Sequence, residues 1–217
     1  MTEETMREYY AQRAQTLEQV YQRPERQADL QEMQQRVCEL LKNHKVLEVA
    51  CGTGYWTEKF APHAQSVYAT DINQPMLDLA QAKNYPDVKP EFALANIYDL
   101  PDAKEGQYSA CFAGFFWSHV KREEQAALLA KLSKGAGKGS LLVLMDNNYI
   151  EGSSTPIART DAEGNTFQFR IRADGERVLI VKNFPTDSAL RKKFGPLVRD
   201  IRVVRNEHYW LLTCILK

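Results

Sequence analysis

The chain of 217 residues is poor in the features that mark unusual protein classes. It has only 4 cysteines, Cys38, Cys51, Cys111 and Cys214, with no Cys-x-x-Cys pair among them. No histidine stands at metal-ligand spacing from another, so the sequence predicts neither a disulfide framework nor a metal site. Three of the four cysteines lie in apolar runs and read as free buried thiols. There is no excess of either charge: 28 Lys and Arg stand against 28 Asp and Glu. That balance argues against a protein that works by gripping phosphate backbones. Long hydrophobic runs are missing as well. The stretches 141–145 and 110–117 fall far short of the roughly 20 residues that span a bilayer. Residues 1–23 are polar throughout and lack the apolar core of a secretory leader. A soluble cytoplasmic protein is expected, with no membrane and no nucleic-acid partner. Repeats and low-complexity tracts are also lacking.

What remains is an ordinary globular composition, 44% hydrophobic and 26% charged, at a length that suits one domain. The charge is mildly uneven. Residues 159–217 hold 12 Lys and Arg against 7 Asp and Glu. This excess reads either as a solvated surface or as a field that attracts an acidic substrate.

Periodicity divides the chain into four parts: N-terminal helices (1–43), an alternating strand–helix core (44–146), an insertion with a hairpin (147–185), and a last helix with closing strands (186–217). Met6, Tyr9, Tyr10, Leu17, Val20 and Tyr21 recur at helical spacing. Pro24 opens a second helix carrying Leu30, Met33, Val37, Leu40 and Leu41. Strands are predicted over 45–50, 66–70, 91–94, 108–113 and 140–145, with helices over 56–61, 74–83 and 121–132 between them. Such alternation implies a doubly wound parallel sheet with helices on both faces. Further on, 166–172 and 176–183 flank Ala173-Asp174-Gly175, a hairpin signal. Thr186 or Asp187 can cap a helix through Phe194. Runs 200–204 and 209–216 should close the sheet as an antiparallel pair.

The most informative stretch is Glu48-Val49-Ala50-Cys51-Gly52-Thr53-Gly54, at the carboxyl end of the first core strand, where such sheets bind ligands. The two glycines allow a tight turn and close backbone approach. A dinucleotide fingerprint needs a small residue at position 57, which is Thr57, preceded by the bulky Tyr55-Trp56. Glu48 would also repel a phosphate. Asp71 ends the second strand, where a carboxylate can accept both hydroxyls of a ribose; a helix cap is the plainer alternative.

These residues, followed by Ala69-Thr-Asp71, Ala95-Asn-Ile-Tyr-Asp-Leu-Pro101 and the 112–120 segment, resemble the ordered motifs of class I S-adenosylmethionine-dependent methyltransferases. The resemblance spans about residues 45–146. It implies an α/β fold with a mostly parallel seven-stranded sheet, an antiparallel edge, an N-terminal helical lid and a hairpin insertion after the fifth strand. It implies S-adenosylmethionine as cofactor. Glu48, Gly52 and Gly54 would line the methionine end, with Ala50 and Cys51 giving backbone contacts. Asp71 would hold the ribose, and Ile72 and Met76 would sandwich the adenine. Asn96 stands where the family commonly has Asp, beside the Ile97 amide. Ala113 and Gly114 would meet the methionine portion, with Tyr10 covering the cofactor from the lid.

On the acceptor side, His119 is the candidate general base. Tyr9, Trp117, Asn147, Tyr149, Arg170 and His208 are candidates for the acceptor pocket. The hairpin reads as solvent-facing, as a dimer contact, or as a border of that pocket where Arg159 or Arg170 would clamp an acidic group. Chain neutrality and the closing lid favour in-line methyl transfer to a small molecule. A non-catalytic S-adenosylmethionine-binding protein is the alternative. An NAD(P)-dependent oxidoreductase is a third, disfavoured by Thr57.

Overall fold

The computed structural model describes residues 3–172 and 174–217. It begins with α1 (Glu3–Gln12), but the single first helix expected through Tyr21 does not form. At Arg13 the chain tightens into a 3-10 segment, Ala14–Gln22. Tertiary contacts override the α-helical spacing here. The Glu18 carboxylate accepts from the Thr53 hydroxyl at 2.7 Å and pairs with Lys83 at 2.9 Å. The Leu17 side chain lies 3.6 Å from where a Cβ on Gly52 would stand. The segment is thereby drawn down as a strap over the glycine loop. Pro24 opens a short turn before α2 (Gln27–Leu41), whose Leu30, Met33, Val37 and Leu41 are buried as their spacing requires.

The core then alternates: β1 (Lys45–Val49), α3 (Tyr55–Phe60), β2 (Ser66–Asp71), α4 (Gln74–Gln81), β3 (Glu91–Leu94), β4 (Ala110–Gly114), α5 (Gln125–Ala136) and β5 (Leu141–Asn147). Helix α5 starts four residues later than the spacing predicts. Residues 121–124 form a turn instead, held by the Lys121 carbonyl and by the Asn165 side chain accepting from the Arg122 amide. It also runs past its expected end. Gly135 packs against Leu100 and Leu47, and Gly137, with φ +88°, stops the helix. Strand β5 extends through Asp146 and Asn147, which were expected to follow it.

A three-stranded antiparallel sheet follows: β6 (Arg159–Thr160), β7 (Thr166–Ile171) and β8 (Arg177–Val181). The short β6 adds to the expected hairpin, and Ala173 of its turn lies outside the described residues. Thr186 caps α6 (Asp187–Phe194) by accepting from the Ala189 amide at 3.2 Å. The closing pair is β9 (Val198–Arg205) and β10 (Tyr209–Leu216).

The main sheet has seven strands in the order β3-β2-β1-β4-β5-β10-β9. Strand β10 runs antiparallel to both β5 and β9, so the antiparallel edge is this hairpin. Alternate residues of each strand feed one of two apolar layers. Leu47, Val49, Trp210 and Leu212 face α5 and α6; Val46, Phe112, Tyr209 and Leu211 face α2 and α3. Each such side chain contributes about 1.5–3 kcal/mol on burial. Strand order reverses between β1 and β4, which opens a crevice at their carboxyl ends. Among the described residues, no helix is long and apolar enough to cross a membrane.

Candidate functional site

The carboxyl ends of β1 and β4 are each bent by a non-glycine residue in the left-handed region, Ala50 at φ +53° and Phe115 at φ +58°. That conformation costs about 1–2 kcal/mol per residue, and such strain concentrates where backbone must face a ligand. Gly52 and Gly54 continue the turn at φ +57° and +74°. Gly54 has a packing reason too: a Cβ would stand 2.9 Å from Ala80 Cβ and from the Tyr85 hydroxyl.

Asp71 holds this loop in place. Its Oδ2 accepts from the Gly52 amide at 2.9 Å and its Oδ1 from the Asn73 amide at 2.8 Å. Asp71 also lines the cavity, and a carboxylate offers about four lone-pair sites, more than these contacts use. Burial raises its pKa, and those amides pull it back. Glu48 is deeper. Its Oε2 accepts from the Thr57 hydroxyl at 2.5 Å, and burial pushes its pKa up to about 8.

Both carboxylates face one cavity of about 790 Å³, roofed by α1 and the 3-10 strap and walled by the hairpin sheet. At its acceptor-side end stands a second buried network. The His119 Nδ1 lies 2.7 Å from the Val181 carbonyl, which can only accept, so Nδ1 carries the proton. The Nε2 then accepts from the Tyr10 hydroxyl at 2.7 Å. Burial and the nearby Lys182 ammonium hold the imidazole pKa down near 3, so the ring is neutral. Lys182 itself donates to Ser118 Oγ at 2.6 Å and to Asp146 Oδ1 at 2.9 Å. Asp146 Oδ2 accepts from the Ser118 amide. Although burial opposes it, Lys182 holds the Asp146 carboxyl low, so the pair is ionic.

Most of the cofactor-side candidates reach this cavity: Tyr10, Glu48, Ala50, Cys51, Gly52, Asp71, Ile72, Met76, Asn96, Ile97 and Gly114. Asn96 accepts from the Tyr98 amide at 3.0 Å, closing a turn at the rim. Gly54 and Ala113 do not face the cavity. The first packs on α4, and the second is buried in the layer with Leu47. Of the acceptor-side candidates, His119, Asn147 and Arg170 line it. Tyr9 turns away to pack with Val178 and Ile180. Trp117 is core, its ring 4.8 Å from that of Phe194. Tyr149 sits on the outer surface against Phe184. His208 is held by Asp29, whose Oδ2 meets both its amide and its Nδ1. Arg159 lies over the Phe167 ring, outside the cavity.

The sequence reading missed Leu17, Tyr21, Arg26, Phe115, Gln168 and Lys182, all of which line the cavity. Lys182 carried a signal, as a lone charge ending an apolar strand. The others look in sequence like ordinary helix or strand residues. Among the described residues, no cluster of three or more His, Cys, Asp or Glu could hold a metal ion.

Residues 46–151 match the family model described as a methyltransferase domain. An uncharacterized methyltransferase of Bacillus licheniformis is 26% identical over 153 residues, covering 70% of this chain and 67% of the relative. The solved DhpI–SAH complex superposes with a TM-score of 0.79 at 23% identity, over 98% of this chain and 96% of that one. A DhpI–SAM–HEP complex gives the same score at 22% identity, covering 97% and 96%. Magnesium protoporphyrin IX methyltransferase from Synechocystis, with bound SAH, superposes with a TM-score of 0.59 at 16% identity, covering 86% and 83%. At these identities the superpositions speak for the fold. The family match falls on the segment whose strand ends and glycine loop build the cavity: residues 46–151 carry a methyltransferase domain, in a fold shared with solved S-adenosylmethionine-dependent methyltransferases.

Proposed function

We propose that this methyltransferase holds S-adenosylmethionine across the glycine loop and methylates a small molecule enclosed beneath the N-terminal strap. The observation that carries the reading is one cavity of about 790 Å³, within the range of small-molecule sites, into which Glu48 and Asp71 both face. Asp71, a carboxylate lining the cavity at the end of β2, suits the two hydroxyls of a ribose. Glu48 suits an ammonium group at the methionine end. Ile72 and Met76 supply the apolar walls that an adenine needs, and the left-handed Ala50 and Phe115 turn backbone to the cavity.

When bound, S-adenosylmethionine supplies an activated methyl group: the acceptor lone pair forms the new bond in line as the carbon–sulfur bond breaks, its electron pair staying on sulfur. What the chain contributes is placement and exclusion of water. Leu17 and Tyr21 of the strap and Tyr10 of α1 cover the cavity. His119 acts here as a positioning residue. Its basic nitrogen is occupied by Tyr10 and its pKa lies near 3, which disfavours proton abstraction at neutral pH. The reading thus favours an acceptor atom that needs no protein base.

Isothermal calorimetry with S-adenosylmethionine and its demethylated product SAH tests the cofactor site. Saturable one-to-one binding of both is expected, and absence of heat from either overturns it. Binding without methyl transfer to any acceptor would favour a non-catalytic binding protein.

A further inference from the structure

The cavity is unevenly charged away from Glu48 and Asp71. Arg170 on β7 reaches it from the hairpin sheet, and Arg13 and Lys182 stand close enough to perturb Arg170 or its neighbours electrostatically. Asp146, beside Lys182, is already engaged by it; apart from Glu48 and Asp71, the carboxylates lining the cavity are Glu123 and Glu124, met by Asn165 and Lys121. Among the described residues, Arg170 makes no ion pair: its Nη1 donates to the Phe169 carbonyl at 3.1 Å and its Nη2 to Gln168 Oε1 at 2.6 Å. Of five guanidinium N–H groups, three are left for a partner.

The guanidinium is aimed, not loose. Gln168 is 1% exposed, and its own amide donates to the Thr155 carbonyl, so a buried side chain fixes the fork against the loop. Two residues earlier the same loop holds another arginine. Arg26 Nη2 donates to Ser153 Oγ at 2.8 Å, while its Nε makes no hydrogen bond and stands 4.0 Å from the Glu25 carboxylate. Residues 153–155 therefore tie two guanidiniums to one cavity wall; Arg26 is paired with Glu25, and Arg170 retains unused donors. A partly buried guanidinium without a carboxylate partner, as Arg170 is among the described residues, is costly until an anion arrives, and a planar fork with spare N–H groups matches an oxyanion in two-point contact.

We propose that the methyl acceptor carries an oxyanion, of carboxylate or phosphate type, held by Arg170 with Gln168 as its positioning residue. The inference rests on the cofactor reading above and goes further by naming the acceptor's class. Arg172, just past the end of β7, is already spent on Glu8 at 3.0 Å and Glu176 at 3.1 Å, whereas Arg170 within the strand is open to a ligand.

The test is calorimetric titration of inorganic phosphate and, separately, acetate into the protein with and without SAH, at constant ionic strength. Saturable binding of at least one anion is expected, weakened at least tenfold in R170M and partly restored in R170K. The affinity for SAH should stay within twofold of the wild type. The anion that binds identifies the headgroup. Binding of neither anion, or equal binding in R170M, overturns the proposal. So does R170M losing SAH affinity while keeping the anion, because the guanidinium would then serve the cofactor's own carboxylate. Anion binding that depends on Arg170 in a protein giving no heat with SAH would sink the cofactor reading and leave the anion site standing. A folded R170M, checked by an unchanged thermal midpoint, keeps each outcome interpretable; Q168M serves as the second variant, expected to weaken anion binding less than R170M.

Discussion

The Tyr10 hydroxyl donates to His119 Nε2 across 2.7 Å, joining residues 109 apart in the chain. One belongs to the helix over the cavity and the other to the turn after β4. Replacing Tyr10 by Phe leaves a buried imidazole nitrogen unpaired, at a cost of about 1–3 kcal/mol. For a chain of this size each kcal/mol shifts the melting temperature by roughly 2–4 °C. Calorimetric melting of Y10F should show a fall of that order; an unchanged midpoint would show that the contact does not hold the helix down.

The same ring sets an acid limit on stability. The folded chain keeps His119 neutral to about pH 3, whereas the unfolded chain protonates near the ordinary 6.5. The unfolded state therefore binds the extra proton. Its contribution to stability is intact above about pH 6.5 and declines as pH falls toward 3, by at most about 1.4 kcal/mol per pH unit. Urea midpoints between pH 7.5 and 5 should fall more steeply for the wild type than for H119N, whose amide does not titrate and can still donate to the Val181 carbonyl. Parallel slopes would remove His119 from the effect.

Glu48 titrates the opposite way. Its folded-state pKa is raised to about 8, so its contribution is complete below about 4.5 and lost as pH rises through 8. Relative to the wild type, E48Q should gain stability as pH is raised from 5 to 8. An ammonium placed against Glu48 would draw off its proton. Binding of SAH at pH 7 should then release close to one proton in the wild type and none in E48Q, measured as the dependence of binding heat on buffer between Hepes and Tris.

Asp71 serves both the loop and the proposed ribose site. D71A should weaken SAH binding by at least several-fold, and D71N, which keeps one acceptor oxygen, by less. Equal affinity of D71A and wild type would take Asp71 out of the site.

Lys182 and Asp146 form a buried pair at 2.9 Å, with Asp146 wholly enclosed. K182M strands that carboxylate and should cost about 3–5 kcal/mol. The double variant K182M/D146N removes the charge as well and should recover most of the loss. A double variant no more stable than K182M would show that the lysine's packing matters and its charge does not.

Local sequence carried a large share of this protein. The apolar runs alternating with amphipathic segments define β1 to β5 and their helices, Asp174-Gly175 marks the hairpin, and Thr186 marks a cap, because each depends on residues within a few positions of one another. That Glu48, Gly52 and Asp71 share one sheet edge was legible for the same reason: short strands that end in a glycine turn or a carboxylate place those residues there. Contacts between distant segments settled the rest. The helical spacing through Tyr21 gave way to a 3-10 strap once Leu17 met Gly52 and Glu18 met Thr53. Trp117 and Tyr149 had the composition of an acceptor pocket, but α6 claimed the first and solvent the second. The neutral state of His119, the Lys182–Asp146 pair and the aim of Arg170 through Gln168 all join residues from separate elements. Burial and charge fix such partners only when the fold is complete, so periodicity and spacing carry no trace of them.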